Sequence, residues 1–184
     1  MSPPAHRLVW LLRHAKTLTD PPKGGGDHER KLGPRGRRDA DALGRRLGDG
    51  GDLLGFGADE LPSLVLCSTA TRATQTAERA LGAMAPPPTV DQRRSLYAAD
   101  PNQVIDELRT VDDGVTSVMV VGHNPTAHAL AESMVAAADK AGRREVTRHG
   151  FPTCAVAVYR VPASRWPDLA LGTGTLLGLF VPPY

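Results

Sequence analysis

Three short apolar runs constrain this chain most. Leu8 to Leu12, Leu64 to Cys67 and Ser117 to Val121 each stop abruptly at polar residues, and a stretch of different periodicity follows. Runs of this length, bounded in this way, read as strands buried on both faces. The stretches between them carry apolar residues at helical spacing. Gly36 to Leu47 places Ala40, Leu43 and Leu47 on one stripe, and Thr71 to Met84 does the same with Ala73, Ala77, Ala80 and Met84. Asp100-Pro101 pairs a capping residue with proline at the first helical position, so a helix is expected from there to about Arg109. Asn124-Pro125 repeats that signal and starts a helix expected to reach about Ala138. Thr89-Val90 reads as a small strand, and the charged segment Asp139 to Arg148 as a loop or a frayed extension. Two later strands, Cys154 to Val161 and Thr175 to Val181, have no helix between them, so antiparallel pairing is expected there.

Strands buried on both faces need cover on both faces. The alternation therefore predicts a three-layer α/β domain, with a central, mostly parallel sheet and helices on both sides. With 184 residues, one domain spanning 1–184 is expected. The formal net charge is only +2, which gives no footing to a nucleic-acid partner. Leu8 to Leu12 is too short for a signal-peptide core, and no apolar stretch approaches the roughly 18 residues of a membrane span. No membrane partner is expected. Cys67 and Cys154 lie in strand-like runs and read as buried free thiols, and a cytoplasmic location follows.

In open α/β sheets, ligands gather where strands end and helices begin. Here three such junctions bear residues of one chemical kind: Arg13-His14 after the first strand, Ser68 to Arg72 after the second, and Gly122-His123-Asn124 after the third. Two guanidinium groups suit the oxygens of a phosphoryl group. They also oppose the imidazolium form of a nearby histidine, which keeps His14 neutral and nucleophilic. His123 can donate to an oxygen while charge builds. A helix beginning at Asn124 would turn free amide groups toward the same place, and Gly122 would let backbone approach closely.

These residues resemble the signature of the histidine phosphatase superfamily. Arg13-His14-Ala15 is similar to its Arg-His-Gly motif, with alanine in the third place. The blocks LVWLLRHAK, DHERKLGPRG, LCSTATRATQTAE, VGHNP and FPTCAVAVYRV resemble the small phosphohistidine phosphatase branch, of SixA type, over about Leu8 to Val181. The resemblance implies that His14 is phosphorylated and that Arg13, Arg72 and His123 bind the phosphoryl group. Arg30 matches a branch arginine that adds a further contact; Lys31 follows it where the branch usually has proline. Ser68 and Thr71 could donate through their hydroxyls, with helix capping by Ser68 or Thr69 as the competing role. His149, before a strand, is a further candidate to line the site; His6 and His28 read as exposed loop histidines, and His128 has no carboxylate at metal-ligand spacing.

Larger members of the superfamily carry an acid that protonates an alkoxide leaving group. His123 follows Arg72 by 51 positions, which leaves little chain for a cap over the site. Asp20, Asp27, Glu29 and Asp100 are the carboxylates at hand, with Asp100 expected to cap its helix. An open, shallow pocket is therefore expected, suited to a phosphorylated side chain on a protein. A phosphoramidate also needs less acid help than an ester. The expected activity is a metal-independent phosphatase acting on phosphohistidine in proteins. A general small-molecule phosphomonoesterase is the alternative, and a non-catalytic phosphohistidine-binding module is a third reading. The expected partner is accordingly a phosphorylated protein or a small phosphorylated substrate. No P-loop, dinucleotide fingerprint or zinc-type ligand cluster is present in the sequence, so no cofactor or metal is expected.

Overall fold

The computed structural model describes residues 6–48 and 55–184. Its strands are β1 (Arg7–Arg13), β2 (Leu64–Ser68), β3 (Thr89–Arg93), β4 (Ser117–Gly122), β5 (Val156–Val161) and β6 (Thr175–Phe180). They form one sheet in the order β3-β2-β4-β1-β5-β6. The first four of that order run parallel, while β5 is antiparallel to both β1 and β6. The expected mixture of pairings is present. The helices are α1 (Pro34–Gly48), α2 (Thr71–Leu81), α3 (Pro101–Arg109), α4 (Thr126–Met134) and α5 (Lys140–His149).

The period-2 geometry of a strand divides its apolar residues between two cores. From β1, Leu8, Trp10 and Leu12 enter one cluster with Leu43 and Leu47 of α1 and Ala73, Ala77 and Ala80 of α2. Val9 and Leu11 enter the other, with Val104, Ile105 and Leu108 of α3, Leu130 and Met134 of α4, and Val146 of α5. The helices thus lie on both faces, as the alternation requires. Small residues let α1 and α2 close on one another: a Cβ on Gly44 would fall 2.5 Å from the Arg79 carbonyl oxygen.

Asp100 caps α3 as expected. It accepts from the Gln103 amide at 2.9 Å, and Gln103 returns the contact to the Asp100 amide. Two expectations about helices need correction. The helix after His123 begins at Thr126 and ends at Met134, because Val135 turns to extended backbone and pairs with Gly174. Asn124 does not cap it; its side-chain amide donates to the Phe151 carbonyl at 3.1 Å. The segment after Asp139 is a helix rather than a loop. The Asp139 carboxylate accepts from the Gly142 amide at 2.8 Å and caps it. Only Gly142 and Val146 of its ten residues are buried, so its apolar periodicity is faint.

Candidate active site

β1, β2 and β4 are parallel neighbours, so their C-terminal ends share one sheet edge. Arg13 pairs in register with Gly122, and Cys67 with Val121. The pairing brings together the side chains of Arg13, His14, Arg72 and His123, as the strand-end reasoning expects.

His14 is held from its backbone outward. Its amide donates to the Gly122 carbonyl at 3.0 Å, and its Nδ1 lies 2.8 Å from the Ala15 carbonyl oxygen. A carbonyl only accepts, so Nδ1 carries the proton and the Nε2 lone pair is free. His14 is 8% exposed. Burial, reinforced by the charges of Arg72, Arg13 and Arg30, lowers its pKa to about 4 against the pull of the Ala15 carbonyl. The imidazole is therefore neutral at pH 7, with burial ahead of the arginine repulsion named from sequence.

Arg72 lies beneath the surface of the pocket, 5% exposed. Its Nε donates to His123 Nδ1 at 3.2 Å. That fixes the other His123 nitrogen as the protonated one, and Nε2 donates to Ser68 Oγ at 2.8 Å. His123 is 5.2 Å from His14 between ring centroids, and burial followed by the charges of His14 and Arg72 lowers its pKa to about 3. Arg13 donates from Nη1 to the Phe151 carbonyl at 2.7 Å, while its buried Nε has no protein partner. Arg30 reaches the same region, and its Nε is likewise buried and unpartnered.

Several details differ from expectation. His14 and His123 are each less than a tenth exposed. The Asn124 side-chain amide is committed to Phe151 and the Ala127 backbone amide to the His123 carbonyl at 2.7 Å, so neither is offered to a ligand. A Cβ on Gly122 would meet no protein atom within 4 Å. Ser68 accepts from His123 and, at 3.4 Å, from the Ala70 amide, and neither it nor Thr69 caps α2, whose N-cap is Ala70 with no side-chain cap bond. His149 pairs with Glu145 at 3.1 Å along α5.

Asp27, named only as one of four carboxylates at hand, His28, read as an exposed loop histidine but half-buried, and Tyr97, not considered, all join the site. Asp27 lies 3.0 Å from Arg72 Nη2 and 2.8 Å from Arg30 Nη2, and Tyr97 donates its hydroxyl to the same carboxylate at 2.9 Å. The Arg72 guanidinium carbon is 5.7 Å from the centre of the Tyr97 ring. His28 contacts Thr69 Oγ1 at 3.0 Å and meets Tyr97 edge-on. An acid three residues before an arginine in a polar loop reads from sequence as a solvated ion pair, and no periodicity marks Tyr97. The proximity of these residues arises only from the fold.

The arrangement offers a neutral imidazole with a free nitrogen among guanidinium donors, which is what attack on a bound phosphoryl group needs. A sequence profile of the histidine phosphatase superfamily (branch 1) matches residues 9–94. An uncharacterized protein of Mycobacterium tuberculosis is 40% identical over 93% of this chain and 99% of its own length. A SixA protein of Nakamurella multipartitia is 27% identical, covers 99% of both chains and superposes with a TM-score of 0.74. The chain belongs to the histidine phosphatase superfamily. Within it the chain is of the SixA type. A protein histidine phosphatase SixA complexed with tungstate has the same fold at 21% identity, with a TM-score of 0.69 over 95% of this chain and 97% of that one. Among the described residues no helix is long and apolar enough to cross a membrane.

Proposed function

We propose that this chain is a phosphatase that removes the phosphoryl group from phosphohistidine in proteins, through a phosphohistidine intermediate on His14. The observation that carries the reading is the His14 ring itself, neutral, with Nδ1 committed to the Ala15 carbonyl and Nε2 free. Nε2 attacks phosphorus, and the bond from phosphorus to the leaving nitrogen breaks. The electron pair goes to the departing imidazole, whose far nitrogen already carries a proton, so it leaves neutral. Water then displaces His14 from phosphorus and yields inorganic phosphate. Arg13 and Arg72 bind the phosphoryl oxygens, Arg30 adds a third guanidinium, and the His123 Nε2 proton, given to Ser68 in the free site, turns to a phosphoryl oxygen as charge builds. Three guanidinium groups supply the positive charge that a divalent metal supplies in other phosphoryl-transfer sites, so the reaction needs no metal. The tungstate held by the SixA protein of the same fold is consistent with an oxyanion in this pocket.

The test is a turnover comparison on a phosphohistidine peptide, a phosphoserine peptide and 3-phosphoglycerate. A clear preference for phosphohistidine is expected. Faster turnover of 3-phosphoglycerate would replace this reading with a small-molecule phosphomonoesterase, and tungstate binding without any turnover would leave a binding module.

A further inference from the structure

Asp27 has a more organised environment than the mechanism above requires. It opens a single 3-10 turn, Asp27–Glu29, closed by the Glu29 side chain on the Gly26 amide at 2.8 Å. One carboxylate oxygen faces Arg30. The other faces Arg72 and takes the Tyr97 hydroxyl. The Asp27 main-chain carbonyl also accepts from Arg72 Nη1 at 2.7 Å. The outer edge of the guanidinium is thus gripped twice by one residue, while its Nε is given to His123. Of five donors on Arg72, two stay free for a phosphoryl group.

Arg72 therefore has little rotational freedom before substrate arrives, and its orientation decides which nitrogen of His123 is protonated. We infer that Asp27 is a positioning residue: it presets Arg72 and Arg30 for the phosphoryl oxygens and, through Arg72, holds His123 with its proton on Nε2. The inference rests on the reading of this pocket as a phosphoryl site. It differs from two other roles for a carboxylate here. A plug would occupy the anion position and compete with substrate, and a general acid would have to be protonated at working pH. Partial burial favours protonation of Asp27, but the Tyr97 hydroxyl and the charges of Arg72 and Arg30 outweigh it and hold the carboxyl below its usual range.

The test compares wild type with Asp27→Asn, Asp27→Glu and Tyr97→Phe on para-nitrophenyl phosphate and a phosphoserine peptide, with tungstate as the binding probe and ring-nitrogen NMR of His123 as the tautomer signal. Asp27→Asn should lower kcat about tenfold or more, with a smaller change in KM, as expected when a group in contact with the transition state is misplaced. Tungstate should bind more weakly, and the His123 signals should move toward a mixture of tautomers. Asp27→Glu should recover part of the loss. Tyr97→Phe should fall in the same direction by less, and combining it with Asp27→Asn should add little. Tighter tungstate binding or a lower KM in Asp27→Asn would make Asp27 a plug. A loss confined to phosphoserine, with para-nitrophenyl phosphate untouched, would make it an acid. Reduced stability with unchanged kinetics and tautomer would leave it structural, and if Asp27→Asn does not fold, Tyr97→Phe alone decides by the same readings. Wild-type protein that neither turns over substrate nor binds tungstate would overturn the phosphoryl reading first and this inference with it.

Discussion

At the residue scale, two side chains carry the sharpest expectations. His14→Ala should abolish turnover while tungstate still binds, because the arginines remain. Retention of more than about a tenth of the wild-type rate, about 1.4 kcal/mol of barrier, would be incompatible with a covalent intermediate on His14. Arg72→Lys should be costly even though it keeps the charge. One ammonium cannot serve His123, the Asp27 carbonyl and the Asp27 carboxylate together, and a loss of about 2–3 kcal/mol in transition-state stabilisation is expected from kcat/KM. The histidines also make stability depend on pH. In the folded chain His14 and His123 bind protons only near pH 4 and 3, whereas the unfolded chain binds them near 6.5. Between those values the unfolded state holds more protons, so stability falls as pH drops from 6.5 toward 4 and is fully present above 6.5. Thermal melts across pH 7 to 4.5 should show that decline, and His123→Asn should flatten it. The four strand-end residues were legible because each follows a buried run. Asp27 and Tyr97 were not, because their meaning lies in contacts between residues 70 positions apart.

At the scale of elements, the start of α1 bears on the nucleophile. A Cβ on Gly36 would fall 2.0 Å from the Lys16 carbonyl oxygen, two residues beyond His14. Backbone cannot yield as a side-chain tip does, so Gly36→Ala should destabilise the chain by about 1–3 kcal/mol, read from denaturant midpoints. The rate should fall as well, since the displaced segment leads directly from the reacting ring. Asp100→Ala, by contrast, removes a cap at about 1 kcal/mol and should leave turnover of the remaining folded protein unchanged. That cap was legible because Asp-Pro is a local signal. The start of α4 misled for the opposite reason: Asn124 looks like a cap until the chain brings the Phe151 carbonyl to its side-chain amide.

At the scale of the whole molecule, the alternation of buried runs and helical stripes was enough to read a three-layer architecture. It did not yield the sheet order, since nothing local states that β1 lies between β4 and β5. The function proposed for the assembled pocket carries one expectation about conditions. Dialysis against EDTA should leave the rate unchanged within error, because guanidinium groups supply the charge, and a large loss restored by one metal would contradict that. The central place of β1 has a further consequence. The Arg13 amide is bonded to Ala155 and the His14 amide to Gly122, while the Cys154 amide reaches back to the Arg13 and His14 carbonyls. The reactive dipeptide is thus stitched to strands on both sides, one parallel and one antiparallel. Deuterium from solvent can reach those amides only when the centre of the sheet opens. They should be among the last in the chain to exchange, even at the lip of a pocket that must admit water to finish its reaction.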